Sequence, residues 1–214
     1  MKKSFFILVA FLFCLQIAAI SQKARVGAAG GMTIASMKTT IDGVEEDNSS
    51  RVGVMFSMLV DMPITENIVF RPNLSYVQKG KKRDVGSGST ASTVTDALKY
   101  AELCANFLYN TTGGNANFFI GLGPSISFNL PSRRVTDVGG TKTNADIRFG
   151  KTDAEHYRGF DYGANAVGGF SLPGGWFLAV NYNLGLRNLV TGTTDGEIKN
   201  SYLGIQIGRL FPNK

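Results

Sequence analysis

One alternating stretch, Gly175–Arg187 (G-W-F-L-A-V-N-Y-N-L-G-L-R), constrains the fold more than any other part of the chain. A large apolar side chain occupies every second position: Trp176, Leu178, Val180, Tyr182, Leu184 and Leu186. A period of two indicates a β-strand, because successive side chains of a strand point to opposite faces. Strands of soluble proteins usually run about 5–6 residues, whereas a tilted strand needs about 9–11 residues to cross a bilayer. The stretch is long enough to span a membrane, and a long strand of a soluble sandwich or a lipocalin-like barrel is the alternative.

The same alternation recurs along the rest of the chain. It occupies eight stretches: Arg25–Ser36, Arg51–Met62, Asn67–Lys79, Ala97–Tyr109, Asn117–Leu130, Arg158–Ser171, Gly175–Arg187 and Asn200–Phe211. The connectors between them are long and short in strict alternation, the long ones being 37–50, 80–96, 131–157 and 188–199. An even number of strands with long loops at one end and short turns at the other is the plan of bacterial outer-membrane barrels. We therefore predict an all-β fold, an eight-stranded antiparallel up-and-down transmembrane β-barrel with long extracellular loops and short periplasmic turns.

The N-terminal segment has the features of a secretory signal. Lys2 and Lys3 precede an apolar run over 4–15, and the small residues Ala19 and Ser21 suit a cleavage site before Gln22. We predict a cleaved signal peptide over 1–21, a barrel domain over 22–214, and a location in the bacterial outer membrane. Removing the two lysines lowers the net charge from +6 to +4, and this small, scattered excess does not indicate nucleic-acid binding.

Several segments resemble motifs of the PorT-like small outer-membrane β-barrel proteins, a group often labelled "porin family". Arg71–Gly80 resembles the family pattern P-E-L-x-Y-x-x-K-G, with Asn73 where Glu is usual, and Tyr100–Cys104 resembles Y-L-E-I-P, with Cys104 in place of Pro. Further similar segments are Arg25–Met32, Gly159–Gly163 (G-x-D-x-G) and Tyr182–Asn188 (Y-x-x-G-L-x-N). The resemblance implies the barrel fold. Because the family includes a component of protein export, the resemblance also implies a possible role in secretion.

Charged residues recur on the strand faces opposite the apolar faces. These charged faces would line the lumen. They are Asp61, Arg71, Lys79, Glu102, Asp161 and Arg187. An eight-stranded barrel is just wide enough for side chains to fill it, and an isolated buried charge is very costly. We therefore predict a plugged lumen with a charge network in which Glu102 pairs with Arg71 or Lys79. A narrow gated pore is the alternative.

The outer wall and the rim offer two further sets of residues. Lipid-facing or girdle positions are predicted at Trp176, Tyr182, Phe128, Tyr109 and Phe211. Basic residues next to or within the long loops are predicted to contact phosphates of lipopolysaccharide, the outer-leaflet glycolipid: Lys81, Lys82, Arg83, Arg133 and Arg134. The alternative is that these charges only keep the exposed loops soluble.

No motif for chemistry stands out. His156, the only histidine, lies near Asp153 and Glu155, but no motif ties a serine or a second acid to it. The acidic run over 42–47 lacks the spacing of a calcium loop. We therefore predict no catalytic residue, no metal and no cofactor, and a structural or interaction role with membrane lipid and envelope or secretion proteins as partners. A small-solute channel or ligand-binding barrel is the alternative, and an outer-rim hydrolase is a remote one.

Overall fold

The computed structural model describes residues 24–41, 43–45, 48–86, 91–111, 117–152, 154–192 and 196–212. These residues form ten β-strands and a 3₁₀ turn at Pro173–Gly175: β1 (Arg25–Ile41), β2 (Val44–Glu45), β3 (Ser49–Pro63), β4 (Ile68–Val85), β5 (Ser92–Asn110), β6 (Asn117–Val138), β7 (Thr141–Ile147), β8 (Phe160–Ser171), β9 (Trp176–Gly185) and β10 (Gly196–Leu210). Among them, no helix is long and apolar enough to cross a membrane. The predicted signal peptide over 1–21 lies outside the described residues.

Eight of these strands close into a ring. The order is β1–β3–β4–β5–β6–β8–β9–β10, and β10 returns to pair with β1 from Gly27↔Leu210 to Ile41↔Gly196. Every pair in the ring is antiparallel. The short β2 and β7 pair with β1 and β6 outside this ring. The predicted eight-stranded antiparallel barrel is therefore confirmed.

The two ends of the barrel differ in their connections. At the short-turn end, Ile64 N–H donates to Ile68 O at 2.8 Å and Leu172 N–H donates to Trp176 O at 2.7 Å. At the opposite, long-loop end, the strands run further than predicted. The predicted loop over 80–96 mostly continues β4 and β5, whose ladder extends to Val85↔Ser92.

The predicted loop over 131–157 likewise contains the rest of β6 and all of β7. Gly139 and Gly140, with φ of 56° and 90°, turn β6 into β7, and this pair of positive angles suits a tight hairpin. The strand bounds predicted from alternation were wrong here for a physical reason. Above the membrane the outer face of a strand contacts water instead of lipid, so a hydrogen-bonded ladder forms there without a large apolar residue at every second position.

The outer wall of the ring is apolar. All five predicted lipid-facing aromatic side chains are exposed on it: Trp176, Tyr182, Phe128, Tyr109 and Phe211. Tyr109, Trp176 and Phe211 lie at the short-turn end, and Phe128 pairs with Phe160 towards the long-loop end. The outward-facing band of the wall between these two aromatic ends is hereafter the apolar belt. Tyr182 lies in the middle of β9, so it belongs to this belt rather than to a rim.

The interior is filled by side chains in layers. An apolar plug lies near the short-turn end and is made by Ala29, Leu59, Val69, Leu108, Phe119, Val167, Phe177, Ala179 and Leu210. A second apolar layer, hereafter the outer layer, lies towards the long loops and is made by Met37, Leu98, Tyr100, Ile147, Tyr157 and Leu189. Polar and charged groups lie between these two layers, and more of them lie beyond the outer one.

Candidate functional site

A cluster of charged and hydroxyl groups lies in the middle of the barrel, hereafter the central cluster (Lys79, Glu102, Ser127 and Tyr202). The Nζ of Lys79 lies 2.7 Å from Oε2 of Glu102 and donates to Oγ of Ser127 at 3.1 Å. The hydroxyls of Ser127 and Tyr202 donate to the two oxygens of Glu102 at 2.7 and 2.5 Å. Of the two partners predicted for Glu102, the structure pairs it with Lys79.

The strands impose this arrangement. β4 and β5 are neighbours in register from Ile68↔Tyr109 to Val85↔Ser92, so their inward positions face the same stretch of lumen. Lys79 is also held between two rings, with Nζ at 5.2 Å from the centroid of Tyr100 and 5.0 Å from that of Tyr202. Lys79 is 0% and Glu102 1% exposed. Each charge is therefore compensated inside the barrel rather than by water.

A second ion pair lies next to the apolar plug. The Nε and Nη2 of Arg71 both donate to Asp61, the second contact at 2.8 Å. The guanidinium carbon of Arg71 lies 4.9 Å from the ring centroid of Phe119 and 5.3 Å from that of Phe177. This forked pair, covered by two aromatic rings, blocks the short-turn half of the lumen.

The last two residues of the predicted network are separate from these pairs. Asp161 is 1% exposed, and neither of its carboxylate oxygens has a hydrogen-bond partner within the described part of the chain. Arg187 instead lies with its guanidinium carbon 3.6 Å from the ring centroid of Phe160, an exposed residue of the outer wall. The Nη1 atom of Arg187 is buried and has no hydrogen-bond partner among the described residues, so the structure shows no ion pair between Arg187 and the other predicted members of the lumen network.

A cavity lies inside the wall at the long-loop end, hereafter the outer chamber. Its volume is about 190 Å³, and its lining is Thr39, Lys81, Arg83, Val94, Asp96, Arg134, Tyr157 and Ile198. Arg134 donates to both oxygens of Asp96 at 2.6 and 3.0 Å, and the hydroxyl of Tyr157 donates to Oδ2 of Asp96 at 2.5 Å. Burial alone would raise the pKa of Asp96, but the contacts with Arg134 and Tyr157 outweigh it and hold this pKa below its ordinary value.

The basic residues predicted to contact glycolipid divide into two groups. Lys81, Arg83 and Arg134 line the outer chamber, so that part of the prediction is wrong: they face the inside of the wall, away from the lipid. Lys82 is exposed between Lys81 and Arg83, and the side chain of Arg133 is 67% exposed. The physical reason is the strand period itself, because these residues continue β4 and β6 and alternate between the two sides of the wall.

The remaining candidates from the sequence are the acidic run over 42–47 and Cys104. In the part of the chain that the structure describes, no three residues among His, Cys, Asp and Glu come together to hold a metal ion. Of the acidic run, Asp42, Glu46 and Asp47 lie outside the described residues, and Glu45 pairs with Lys38 at 3.4 Å. Cys104 is buried, and its Sγ lies 3.6 Å from Oε1 of Glu102.

Sequence reasoning missed several residues that organise these sites. Asp96 and Tyr157 end the two stretches that were interpreted as loops, and nothing in a loop-like sequence indicated that they meet. Tyr202 is an inward residue of β10 that was not singled out. Its placement opposite Glu102 depends on ring closure, which sequence spacing does not reveal.

Comparisons with known proteins give the following matches. A family model described as "Outer membrane protein beta-barrel domain" matches residues 20–191. The structure of OprG from Pseudomonas aeruginosa is similar with a TM-score of 0.53 at 10% identity, covering 89% of this chain and 96% of that one. Neisserial surface protein A is similar with a TM-score of 0.44 at 14% identity, covering 88% of this chain and 97% of that one. The outer membrane enzyme PagL gives a TM-score of 0.43 at 12% identity, with 87% and 99% covered. No curated protein matches this chain in sequence.

Proposed function

The chain belongs to the outer membrane protein β-barrel domain family, and from this premise we propose that it is a non-conducting barrel that acts through its outside surface. Its location is the bacterial outer membrane. At the sequence identities of the similar structures the likeness is one of fold, so the role is argued from the residues of this chain.

The closed lumen is the observation that carries the proposal. The cavity along the middle of the lumen, between the central cluster and the Arg71–Asp61 pair, has a volume of only about 20 Å³. A cavity of this size has room for about one water molecule. Elsewhere inside the barrel, side chains that are almost completely buried fill the lumen: Lys79, Leu98, Val77, Tyr100 and Tyr202. A hydrated ion has no continuous path through such an interior.

Conductance in planar lipid bilayers tests this proposal. The mature chain should insert without giving stable channels, and steps of nanosiemens size would contradict a closed lumen. The triple variant Lys79→Ala/Glu102→Ala/Tyr202→Ala removes three side chains of the central cluster but leaves the apolar plug and the Arg71–Asp61 pair, so it should also stay closed. An open porin inserted in parallel shows that the assay detects a conducting barrel.

We further propose that the long-loop end contacts lipopolysaccharide through Lys82 and Arg133. Both side chains are exposed beyond the apolar belt, where phosphates of the outer leaflet lie. The double variant Lys82→Gln/Arg133→Gln should retain less glycolipid on purification than the wild type. The variant Lys81→Gln removes the same kind of charge from inside the wall and is the matched control. Equal retention by all three proteins would contradict the proposal.

A protein partner is the other expectation for the outside surface. The β6–β7 hairpin carries no buried residue over 138–146 and so presents its surface to solvent. The resemblance to PorT-like proteins suggests a secretion or envelope assembly as the context. Mild crosslinking in the native membrane should recover one protein at constant ratio, and recovery with glycolipid alone would favour a stand-alone barrel.

We propose a non-enzymatic role, and the contacts of His156 support it. Its Nδ1 accepts a hydrogen bond from Arg148 N–H at 3.2 Å, and the neighbouring Glu155 accepts from the backbone and the hydroxyl of Thr152 at 2.8 and 2.5 Å. These contacts build a loop turn, and among the described residues none aligns the imidazole with an acid. Assays of purified barrel against lipid esters and peptides should therefore give no turnover, and turnover lost in His156→Ala would overturn this proposal.

A further inference from the structure

We propose that the barrel interior holds one monovalent cation, sodium, between the side chains of Asp161, Tyr100 and Asn200. These three residues are hereafter the Asp161 group, and they lie next to the central cluster. The proposal concerns the interior of the barrel and does not depend on what the outside surface contacts. It rests on an uncompensated charge, on buried polar atoms without partners, and on the strands that bring these atoms together.

The charge of Asp161 is uncompensated. The three other buried carboxylates of the described residues each have an ion pair: Asp61 with Arg71, Glu102 with Lys79, and Asp96 with Arg134. Lys79 is the cation that attracts Asp161 most strongly, but its Nζ already contacts Glu102 and Ser127. One ammonium group therefore serves two buried carboxylates. Because an isolated buried charge is very costly, this part of the interior needs one more positive charge.

The polar atoms of the Asp161 group lack hydrogen-bond partners. Among the described residues, neither carboxylate oxygen of Asp161 has one, and the hydroxyl of Tyr100 and the side-chain amide of Asn200 have none either. All three residues are at most 1% exposed. The backbone N–H groups of Tyr162 and Arg187 attract the carboxylate but supply no net charge. Buried polar atoms are nearly always satisfied by protein, water or an ion, so this many orphaned atoms in one place indicate a bound species.

The strands bring the three side chains to one place. Asp161 on β8 is in register with Ser127 of the central cluster. Gly185 on β9 leaves room for it, because a Cβ there would lie 2.8 Å from Oδ2 of Asp161 and 2.3 Å from the backbone oxygen of Asn200. The hydroxyl of Tyr100 interacts with the side chain of Asn200 and with the charge of Asp161. Oxygens from β5, β8 and β10 therefore converge inside the barrel.

The chemistry of these oxygens favours a monovalent cation. Carboxylate, amide and hydroxyl oxygens are hard ligands, which suit alkali and alkaline-earth cations better than transition metals. One positive charge balances Asp161, whereas a divalent cation would leave a positive charge in excess. A proton on Asp161 would also balance the charge, but it would satisfy one oxygen and leave Tyr100 and Asn200 without partners. Sodium meets both requirements.

Urea unfolding of the mature chain in lipid vesicles tests the proposal, with sodium chloride replaced stepwise by choline chloride at constant ionic strength. Choline is too large to enter a buried site of this kind. A tenfold rise in sodium should raise the folding equilibrium constant several-fold, and at most tenfold, because one ion binds the folded state alone. Equal stability in both salts, which bound water alone or a proton on Asp161 would produce, would overturn the proposal.

Asp161→Asn separates this site from a general effect of salt. The variant keeps the size of the side chain and removes its charge, so its stability should not depend on sodium, and in choline chloride it should be more stable than the wild type. A variant that merely packs badly would be less stable in both salts. Asp146→Asn is the matched control, because it removes the same charge from a side chain that is 88% exposed, and it should keep the sodium dependence. Sodium dependence that persists in Asp161→Asn would contradict the proposal.

Tyr100→Phe tests whether the hydroxyl binds the cation. It removes one oxygen and keeps the ring that lies 5.2 Å from Nζ of Lys79. The sodium concentration that gives half of the stabilisation should therefore rise several-fold, because the affinity of such a site depends on its number of ligands. An unchanged concentration would exclude Tyr100 from the site and would count against the proposed set of ligands.

Discussion

Lys79 and Glu102 form an ion pair of 2.7 Å in the middle of the barrel, with both side chains removed from solvent. In a barrel this narrow, removing two charges from water is costly, and the cost is offset only when each is fully hydrogen-bonded. Ser127 and Tyr202 complete the hydrogen bonding of Glu102. The pair therefore fixes the neighbouring strands β4 and β5 against the distant β10.

The first prediction concerns removal of one partner of this pair. Lys79→Met leaves the charge of Glu102 buried without its counter-ion and should lower the free energy of unfolding by about 3–5 kcal/mol. The double variant Lys79→Met/Glu102→Leu should recover most of that loss, because no unpaired charge remains. Urea unfolding in lipid vesicles measures both. A single variant as stable as the wild type would contradict the role of the pair.

The second prediction concerns the apolar plug. Phe177 is 1% exposed inside the barrel, so Phe177→Ala should open a cavity and lower the free energy of unfolding by about 3–5 kcal/mol. Phe128→Ala removes the same ring from the outer wall and is the control. Its effect should be much smaller, since lipid can fill the space. Comparable losses in urea unfolding would argue against a packed plug.

The third prediction concerns depth in the membrane. Val180 lies in the middle of the outward face of β9, and Phe211 follows the end of β10. Val180→Arg should lower the free energy of unfolding by about 2–4 kcal/mol and Phe211→Arg by about 0–1 kcal/mol, because an arginine near the interface reaches water. The same unfolding assay in vesicles measures this. A reversed order would contradict the position of the apolar belt.

The fourth prediction concerns pH at the outer chamber. Because contacts with Arg134 and Tyr157 hold the pKa of Asp96 below its ordinary value of 3.8, the ionised form stabilises the fold. This stabilisation is fully present above pH 3.8 and is lost as the pH falls through the lowered pKa. Hydrogen exchange over 154–160 should therefore stay slow at pH 5 and accelerate, beyond the intrinsic effect of pH, in stronger acid. Asp96→Asn should show fast exchange already at pH 7, and equal protection in both proteins would contradict the prediction.

Much of the membrane-spanning part could be predicted from the sequence. The alternation of residues such as Val180 and Tyr182 has a direct physical cause, because lipid contacts one face of the strand and the packed lumen contacts the other. Glu102 and Lys79 could be assigned to the lumen for the same reason. The partner of Glu102 could only be narrowed to Lys79 or Arg71, since strand register is needed to choose between them.

The outer chamber could not be predicted in this way. Above the membrane the alternation of apolar residues in the sequence disappears although the β-ladder continues, so Asp96 and Tyr157 resembled loop residues. The contact of Arg187 with Phe160 could not be predicted either, because it depends on local packing after the end of β9. Apolar alternation in the sequence therefore predicts the strands only where their outer face contacts lipid.

The β6–β7 hairpin has a consequence for how this chain can vary. It extends the wall on one side only, its turn is Gly139-Gly140, and its residues Thr141–Asp146 are all exposed. Substitutions there touch neither the closed ring nor the packed interior, so selection for stability places few limits on them. The hairpin is therefore the part of the described chain where the sequence can change with the least cost to folding, and an epitope tag inserted at its tip should leave barrel assembly intact.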